Sequence, residues 1–177
     1  MNLKLFTVLL VGVAMFSGCA SSVKRDSDIG PTSFAMGEDL KIGSVDIVLT
    51  GKAKEKAKNN LKFDAVELKQ VVERALEAYG FLGNDSDESY ASVEIEITKA
   101  RVRSNFNAVM WGPMAGADGI KGTVTLKNGE GREVDQFEVS VSYALGGIAG
   151  GQDSARMDWL YEEFAKKAVG ELSNQTE

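Results

Sequence analysis

The chain has 177 residues, with 26 acidic and 20 basic side chains, no histidine and a single cysteine. Without histidine it lacks the commonest general base and metal ligand, which excludes Ser-His and Cys-His catalytic pairs, and one cysteine excludes a disulfide within the chain. The net charge of -6 disfavours nucleic acid and anionic lipid headgroups as partners.

The N-terminal stretch has the pattern of a secretory signal. Lys4 is followed by an uncharged, mostly apolar run, Leu5–Phe16. This run is shorter than the roughly 20 residues of a membrane-spanning helix and falls within the about 7–15 residues of a signal-peptide core. The small residues Ser17 and Gly18 then precede Cys19. The pattern predicts a lipoprotein signal peptide over residues 1–18.

The stretch FSGC that ends at Cys19 resembles the bacterial lipoprotein box. The resemblance implies cleavage before Cys19, a diacylglycerol thioether on its sulfur and an acyl chain such as palmitate on the new amine. Ala20 follows, rather than the aspartate that retains lipoproteins in the inner membrane, which implies an outer-membrane lipoprotein on the periplasmic face. The alternative is an ordinary secretory signal followed by an incidental buried cysteine.

Residues 19–42 are predicted to form a lipidated, flexible tether. They are polar, show no sustained hydrophobic period and contain Gly30 and Pro31. The remainder, residues 43–177, is long enough for a single domain with its own core.

The first half of this domain predicts one strand and one helix. SVDIVLT alternates apolar and polar residues, as a strand does, and the lysine-rich GKAKEKAKNN predicts a solvated linker, with an anion site as the alternative. In FDAVELKQVVERALEAYGFLG, Asp64 is suited to cap the start of a helix and Gly80 its end. One broad apolar face is predicted for Val66, Leu68, Val71, Val72, Ala75, Leu76 and Tyr79.

The second half predicts three strands and a final helix. In YASVEIEITKARVRS the apolar phase shifts by one residue, which predicts a bulge between Thr98 and Ala100. GIKGTVTLKN and EVDQFEVSVSYAL also alternate, and Asn128-Gly129 between them favours a hairpin. Trp159 lies off the apolar stripe of the last helix, as an exposed aromatic or one packed at the sheet edge. The stripe consists of Met157, Leu160, Phe164, Ala168 and Leu172.

The element order β-α-β-β-β-α predicts an α/β fold of the α+β kind. The expected architecture is a two-layer sandwich in which two amphipathic helices cover one face of a four-stranded, mainly antiparallel sheet. The other face is polar and open to water.

Two connections are the predicted partner-contact segments. NFNAVMWGPMAGADG places large apolar residues in a link between strands, which predicts either a lid over the core or a docking surface for a partner or a bilayer. The glycines of GGIAGG favour a plain flexible connection or a mobile loop that contacts a partner. The candidate contact residues are Phe106, Met110, Trp111, Met114, Gly146, Gly147, Gly150 and Gly151.

No catalytic residue, metal site or cofactor is predicted. GGIAGGQD spaces its glycines like a phosphate loop but has Gln152 and Asp153 where that loop needs a lysine and a hydroxyl residue. Asp85 and Glu96 have the spacing of the first and last ligands of an EF-hand, but Tyr90 occupies the position of its central glycine.

The stretches FSGCASS, SVEIEITKARVR, GADGIKGTVTLKNGEG and GGIAGG together resemble small bacterial outer-membrane lipoproteins of an uncharacterised, domain-of-unknown-function family. The resemblance implies a lipid-tethered envelope protein without enzymatic activity and supplies no site residue beyond Cys19. The predicted function is a binding or accessory module whose partners are the membrane, through its lipid, and an unidentified envelope protein. The alternatives are an inhibitor or immunity-type lipoprotein and a carboxylate-dependent envelope hydrolase.

Overall fold

A computed structural model describes residues 20–25, 41–51, 53–55, 63–83, 90–103, 116–144 and 153–173. These residues form one sheet of five strands, two long helices and a short helical stretch at residues 51 and 53–55. The strands are β1 (Ala20–Lys24), β2 (Ile42–Leu49), β3 (Ala91–Arg101), β4 (Asp118–Lys127) and β5 (Glu133–Tyr143), and the helices are α1 (Ala65–Ala78) and α2 (Asp153–Ser173).

The strand order across the sheet is β1-β5-β4-β3-β2. Neighbouring strands are antiparallel except β2 and β3, which are parallel because α1 returns the chain to the other end of the sheet between them. Both helices pack on the same side of the sheet, here called the helix-covered face, and the opposite side is the open face. The α+β class is therefore confirmed, while the predicted numbers of four strands and two helices are wrong, because a fifth strand and a short third helix are present.

The fifth strand comes from residues that were predicted to belong to the tether. Ala20–Lys24 pair in register with β5, from Ala20 opposite Ser142 to Lys24 opposite Glu138. The sequence ASSVK offers one large apolar residue, Val23, which packs against the core, so the segment has no hydrophobic period to reveal it. Residues 26–40 of the predicted tether lie outside the described residues.

The predicted lysine-rich linker also contains structure. Residues 51 and 53–55 are helical, and Ala53 is fully buried. Its backbone N–H donates to the carbonyl of Thr50 at 3.0 Å. One small residue therefore packs this stretch against the core. The sequence gives no sign of this, because the neighbouring residues are mostly lysines.

The local signals around α1 are confirmed at both ends. The Asp64 carboxylate accepts from the backbone N–H groups of Val66 and Glu67, and Gly80 follows the helix with a φ of 74°, a conformation that glycine adopts without strain. The apolar face is narrower than predicted. Val66 is 64% and Tyr79 50% exposed, because the buried stripe follows Leu68, Val72 and Leu76 at helical spacing.

The strand irregularities also appear where they were predicted. The β3–β4 register shifts between Ile97 and Lys99, so Ala100 returns to the helix-covered face after the bulge. The β4–β5 hairpin is closed at Asn128, whose N–H donates to the carbonyl of Arg132 at 2.9 Å. Its left-handed residue is Gly131, with a φ of 77°.

The core lies between the helix-covered face and the two helices. The predicted stripe of α2 is buried as expected, and Trp159 packs beside the sheet with its ring 5.2 Å from that of Tyr143. Among the described residues, no helix is long and apolar enough to cross a membrane. The buried stripe of α2 consists of Met157, Leu160, Phe164, Ala168 and Leu172.

Candidate functional site at the Ala20 end of the sheet

The sheet has one end at which β1 and β4 begin and β3 and β5 finish, here called the Ala20 end. Ala20 lies opposite Ser142 in the β1–β5 ladder, and Arg101 lies opposite Gly119 in the β3–β4 ladder. The other end, where β2 begins at Ile42, is called the far end.

The described residues that border both predicted contact segments lie at the Ala20 end. Segment 104–115 joins the end of β3 to Gly116, and segment 145–152 joins the end of β5 to the start of α2. The topology therefore brings the borders of these two segments to the end of the sheet where β1 begins. Cys19 and the candidate contact residues lie outside the described residues, namely Phe106, Met110, Trp111, Met114, Gly146, Gly147, Gly150 and Gly151.

A buried cluster of three charged residues, the ion triad Arg103–Asp118–Arg156, sits at this end. Asp118 is fully buried, and Arg103 and Arg156 are 4% and 2% exposed. The Asp118 carboxylate lies 3.2 Å from Nε of Arg103 and 3.0 Å from Nε of Arg156. Two guanidinium groups therefore share one carboxylate out of contact with water.

Hydrogen bonds to the backbone extend the triad across four elements. The Asp118 carboxylate accepts from the backbone N–H of Arg103 at 2.6 Å. The guanidinium of Arg103 donates to the carbonyl of Tyr143, and that of Arg156 donates to the carbonyl of Arg103. These bonds join the ends of β3 and β5 to the starts of β4 and α2, and so fix the borders of both contact segments.

Sequence reasoning missed the triad. Asp118 shares its strand parity with Ile120 and Val124, which face the core, so a charged residue at an inward position was a usable signal. Nothing in the sequence pattern indicates its partners, because Arg103 and Arg156 are distant along the chain.

Edge strand β1 is held to the domain by side chains as well as by its ladder. The guanidinium of Arg25 donates to Asp135 and, at 2.8 Å, to Glu171 on α2, and it lies 5.1 Å from the ring centre of Phe137. Burial lowers the pKa of Arg25, but the bonds to the two carboxylates outweigh it and raise the pKa overall. Ser21 adds a 2.8 Å bond to Glu163 on α2.

The open face carries its charges in separate zones along the strands. In the two cross-strand rows nearest the Ala20 end, the charged residues are Lys99, Arg101 and Lys121, here called the basic patch. The rows further along hold acidic residues of three strands together with Lys24 and Lys127. The acidic residues are Asp46, Glu94, Glu96 and Glu138.

The described part of the chain holds no cluster of three or more potential metal ligands. Glu96 accepts a 2.7 Å hydrogen bond from the hydroxyl of Thr50 and lies on the open face opposite Thr123. Asp85, the first position of the EF-hand spacing, lies outside the described residues, as do the neighbouring acidic residues Asp87 and Glu88.

Several solved structures resemble this chain, among them two PelC structures, and no curated protein matches it. A leucine-to-methionine variant of the PelC dodecamer from Paraburkholderia phytofirmans is 13% identical, with 88% of this chain and 98% of that chain covered and a TM-score of 0.48. A PelC dodecamer from the same organism is 11% identical, with 88% and 96% covered and a TM-score of 0.45. Similarity at this level does not establish a shared function. The model of a domain of unknown function, DUF4410, matches residues 11–147, so the chain belongs to the DUF4410 family.

Proposed function

We propose that this protein is a lipid-anchored envelope protein without enzymatic activity, which acts as a binding or accessory module at the periplasmic face of the outer membrane. The observation that carries the proposal is the position of β1, which begins at Ala20, one residue after the predicted lipidation site Cys19. The domain would thus attach to its anchor without a spacer.

The absence of a spacer sets how far the domain stands from the bilayer. One residue of extended chain spans about 3.4 Å, and Ala20 is already paired with Ser142. A lipidated Cys19 would therefore hold the Ala20 end of the sheet at the level of the lipid headgroups. Two or more acyl chains make such attachment stable.

A partner would then be met close to the membrane surface. The borders of segments 104–115 and 145–152 lie at the Ala20 end and are tied together by the ion triad. A fixed base for two connections suits a recognition surface, because binding and specificity residues commonly lie on loops held by a rigid scaffold. The proposed partner is an envelope protein that touches the predicted contact residues of both segments.

The anchor is tested on the full chain expressed in a bacterium with an outer membrane. We expect intact-mass measurement of the mature protein to show loss of residues 1–18 and the added mass of a diacylglycerol and an acyl chain on Cys19. A Cys19→Ser variant is the control and should keep its signal peptide and carry no lipid. A mature wild-type chain with an unmodified thiol would overturn the proposed anchor.

The partner surface is tested by photo-crosslinking in intact cells. A photoreactive amino acid in place of Trp111 should give a discrete crosslinked band to one envelope protein. The matched control replaces Tyr79, which is 50% exposed and lies near the far end of the sheet. Identical products from both positions, or no product from position 111, would contradict a binding surface at the Ala20 end.

A further inference from the structure

We propose that the basic patch, Lys99, Arg101 and Lys121, binds the phosphate groups of phospholipid headgroups in the bilayer that holds the protein. The proposal rests on the proposed lipid anchor, since the anchor is what would bring this end of the sheet to a bilayer. It assigns a second contact with the membrane, made by side chains rather than by acyl chains.

The strand register brings the patch together on the open face. Arg101, Gly119, Ser142 and Ala20 form one cross-strand row, and the next row contains Lys99, Lys121, Ser140 and Ser22. The bulge between Ile97 and Lys99 creates this arrangement, because without it Lys99 and Arg101 would point to the helix-covered face.

A shallow depression of about 180 Å³ lies within the patch, lined among others by Lys99, Arg101, Lys121, Ser140 and Ser142. Gly119 also lines the depression, and a larger residue there would be crowded, since its Cβ would come within 2.9 Å of the Val141 carbonyl oxygen. The guanidinium of Arg101 lies about 3 Å from where a Cβ of Gly116 would stand. Asp118 also lines the depression, but its carboxylate is already paired with Arg103 and Arg156. The ammonium, guanidinium and hydroxyl donors of the other polar lining residues suit phosphate oxygens.

The patch also shares its first row with the residue beside the predicted anchor. Arg101 on β3 is separated from Ala20 on β1 by β4 and β5, which corresponds to three strand spacings of about 4.8 Å each, or roughly 14 Å. When Cys19 sits in the headgroup layer, the patch faces that same layer.

Charge segregation gives the open face a direction. The basic patch lies toward the predicted anchor, and Asp46, Glu94 and Glu96 lie toward the far end. An anionic surface therefore attracts one end and repels the other, which would orient the domain. The negative total charge predicts no affinity for anionic headgroups, but it averages over residues that the fold keeps apart.

Lys121 also pairs with Glu138, at 2.8 Å. Both side chains are more than one-third exposed, at 41% and 34%, and exposed pairs of this kind contribute little to stability. A phosphate oxygen can therefore replace the carboxylate as the partner of Lys121 without cost to the fold.

The test measures vesicle binding of the full-length Cys19→Ser chain, which lacks the acyl chains. Its partition onto vesicles of phosphatidylcholine with phosphatidylglycerol is divided by its partition onto phosphatidylcholine alone. Residues 1–18, which include Lys4, are the same in every variant, so their contribution cancels when the ratios of two variants are compared. Because one basic residue near an anionic bilayer is worth about fivefold in partition, Lys99→Gln/Arg101→Gln should lower this ratio about 25-fold at low salt. Raising the salt toward 1 M, where the screening length is about 3 Å, should abolish the preference.

The matched control is Arg74→Gln/Lys166→Gln, which removes the same two residue types from exposed positions on α1 and α2. It should leave the ratio within about twofold. Unfolding midpoints equal to that of the parent chain verify the fold of both variants, and the charge reversal Lys99→Glu/Arg101→Glu should lower the ratio further.

The outcomes separate the two proposals. A lipidated Cys19 together with equal ratios for patch and control variants would overturn the basic patch alone. An unmodified Cys19 with a patch-dependent ratio would overturn the anchor and leave phosphate binding standing. Displacement from vesicles by inorganic phosphate, beyond the effect of chloride at equal ionic strength, would show a site for free phosphate and overturn its assignment to the bilayer.

Discussion

Both faces of the sheet carry ion pairs, but the pairs differ in how far they are exposed to solvent. On the helix-covered side, the side chains of Arg103, Asp118 and Arg156 are at most 2% exposed in their ion pairs. On the open face, Lys127 and Glu94 are 31% and 43% exposed in theirs. Buried charges cannot exchange their partners for water, so they fix geometry, whereas exposed ones remain available to a binding partner.

The largest effect is expected from Asp118→Asn. This change removes the carboxylate that the buried guanidinium groups of Arg103 and Arg156 share, and breaking a buried ion pair in this way costs about 3–5 kcal/mol. Urea unfolding should show the loss in the free energy of unfolding. Asp46→Asn, at an exposed position of β2, is the control and should change it by less than about 0.5 kcal/mol. Equal effects at the two positions would contradict the contrast between the faces.

A smaller effect is expected from Arg25→Gln, because the side chain of Arg25 is partly exposed, at 24%, in its ion pairs. The change removes the charged partner of Asp135, which is 5% exposed, and hydrogen bonds to charged groups contribute about 1.5–3 kcal/mol. In this variant the amide protons of β1 should exchange with solvent faster than in the wild-type chain, and the increase should be larger in β1 than in β4. Adding Asp135→Asn should restore part of the stability, because it removes the unpaired buried carboxylate. An unchanged exchange rate in β1 would show that Arg25 does not hold the strand.

The next smaller effect on stability is expected at Tyr161, and it should depend on pH. Its hydroxyl accepts the backbone N–H of Asp64 at 2.7 Å, so Tyr161→Phe should cost about 1 kcal/mol at neutral pH. Burial raises the pKa of Tyr161 above its usual value. Since the unfolded pKa is about 10, the folded state resists losing the proton, and wild-type stability should fall as the pH rises above about 10.

The comparison with the phenylalanine variant isolates this titration from those of other groups. Above pH 10 the free energy of unfolding of the wild-type chain should decline relative to Tyr161→Phe by about 1.4 kcal/mol per pH unit. The decline continues until the folded pKa is reached. A difference between the two chains that stays constant from pH 8 to pH 11 would contradict a neutral, buried hydroxyl.

The smallest effect is expected at the exposed pair of Lys127 and Glu94, whose atoms lie 2.9 Å apart. A double-mutant cycle with Lys127→Ala and Glu94→Ala should give a coupling of about 0.2–1 kcal/mol, reduced by added salt. A coupling free energy as large as the loss of unfolding free energy in Asp118→Asn would contradict the idea that burial makes the ion pairs of the two faces differ in strength.

Sequence predicted those parts of the fold that local interactions determine. Asp64 and Gly80 mark the ends of α1 because capping acts within a few residues, and the phase shift before Ala100 marks the bulge because alternation is a local pattern. The family resemblance is confirmed as membership of an uncharacterised family. Its lipoprotein character stays a prediction.

Long-range contacts explain what the sequence did not reveal. β1 pairs with β5, which is distant along the chain, and a five-residue strand with one large apolar side chain has no period of its own. The ion triad unites residues from three separate regions, and the zones of the open face arise from strand order. The same reason explains why total charge did not reveal these zones, since composition carries no information about which rows the charges occupy.

The start of β1 at Ala20 also bears on how the protein matures. If Cys19 is acylated and cleaved as proposed, the enzymes that do so must reach a peptide bond whose next residue belongs to a strand. Processing enzymes need an accessible, extended substrate, so maturation would have to come before β1 joins the sheet. Lipidation and cleavage would then precede the final step of folding, in which edge strand β1 pairs with β5.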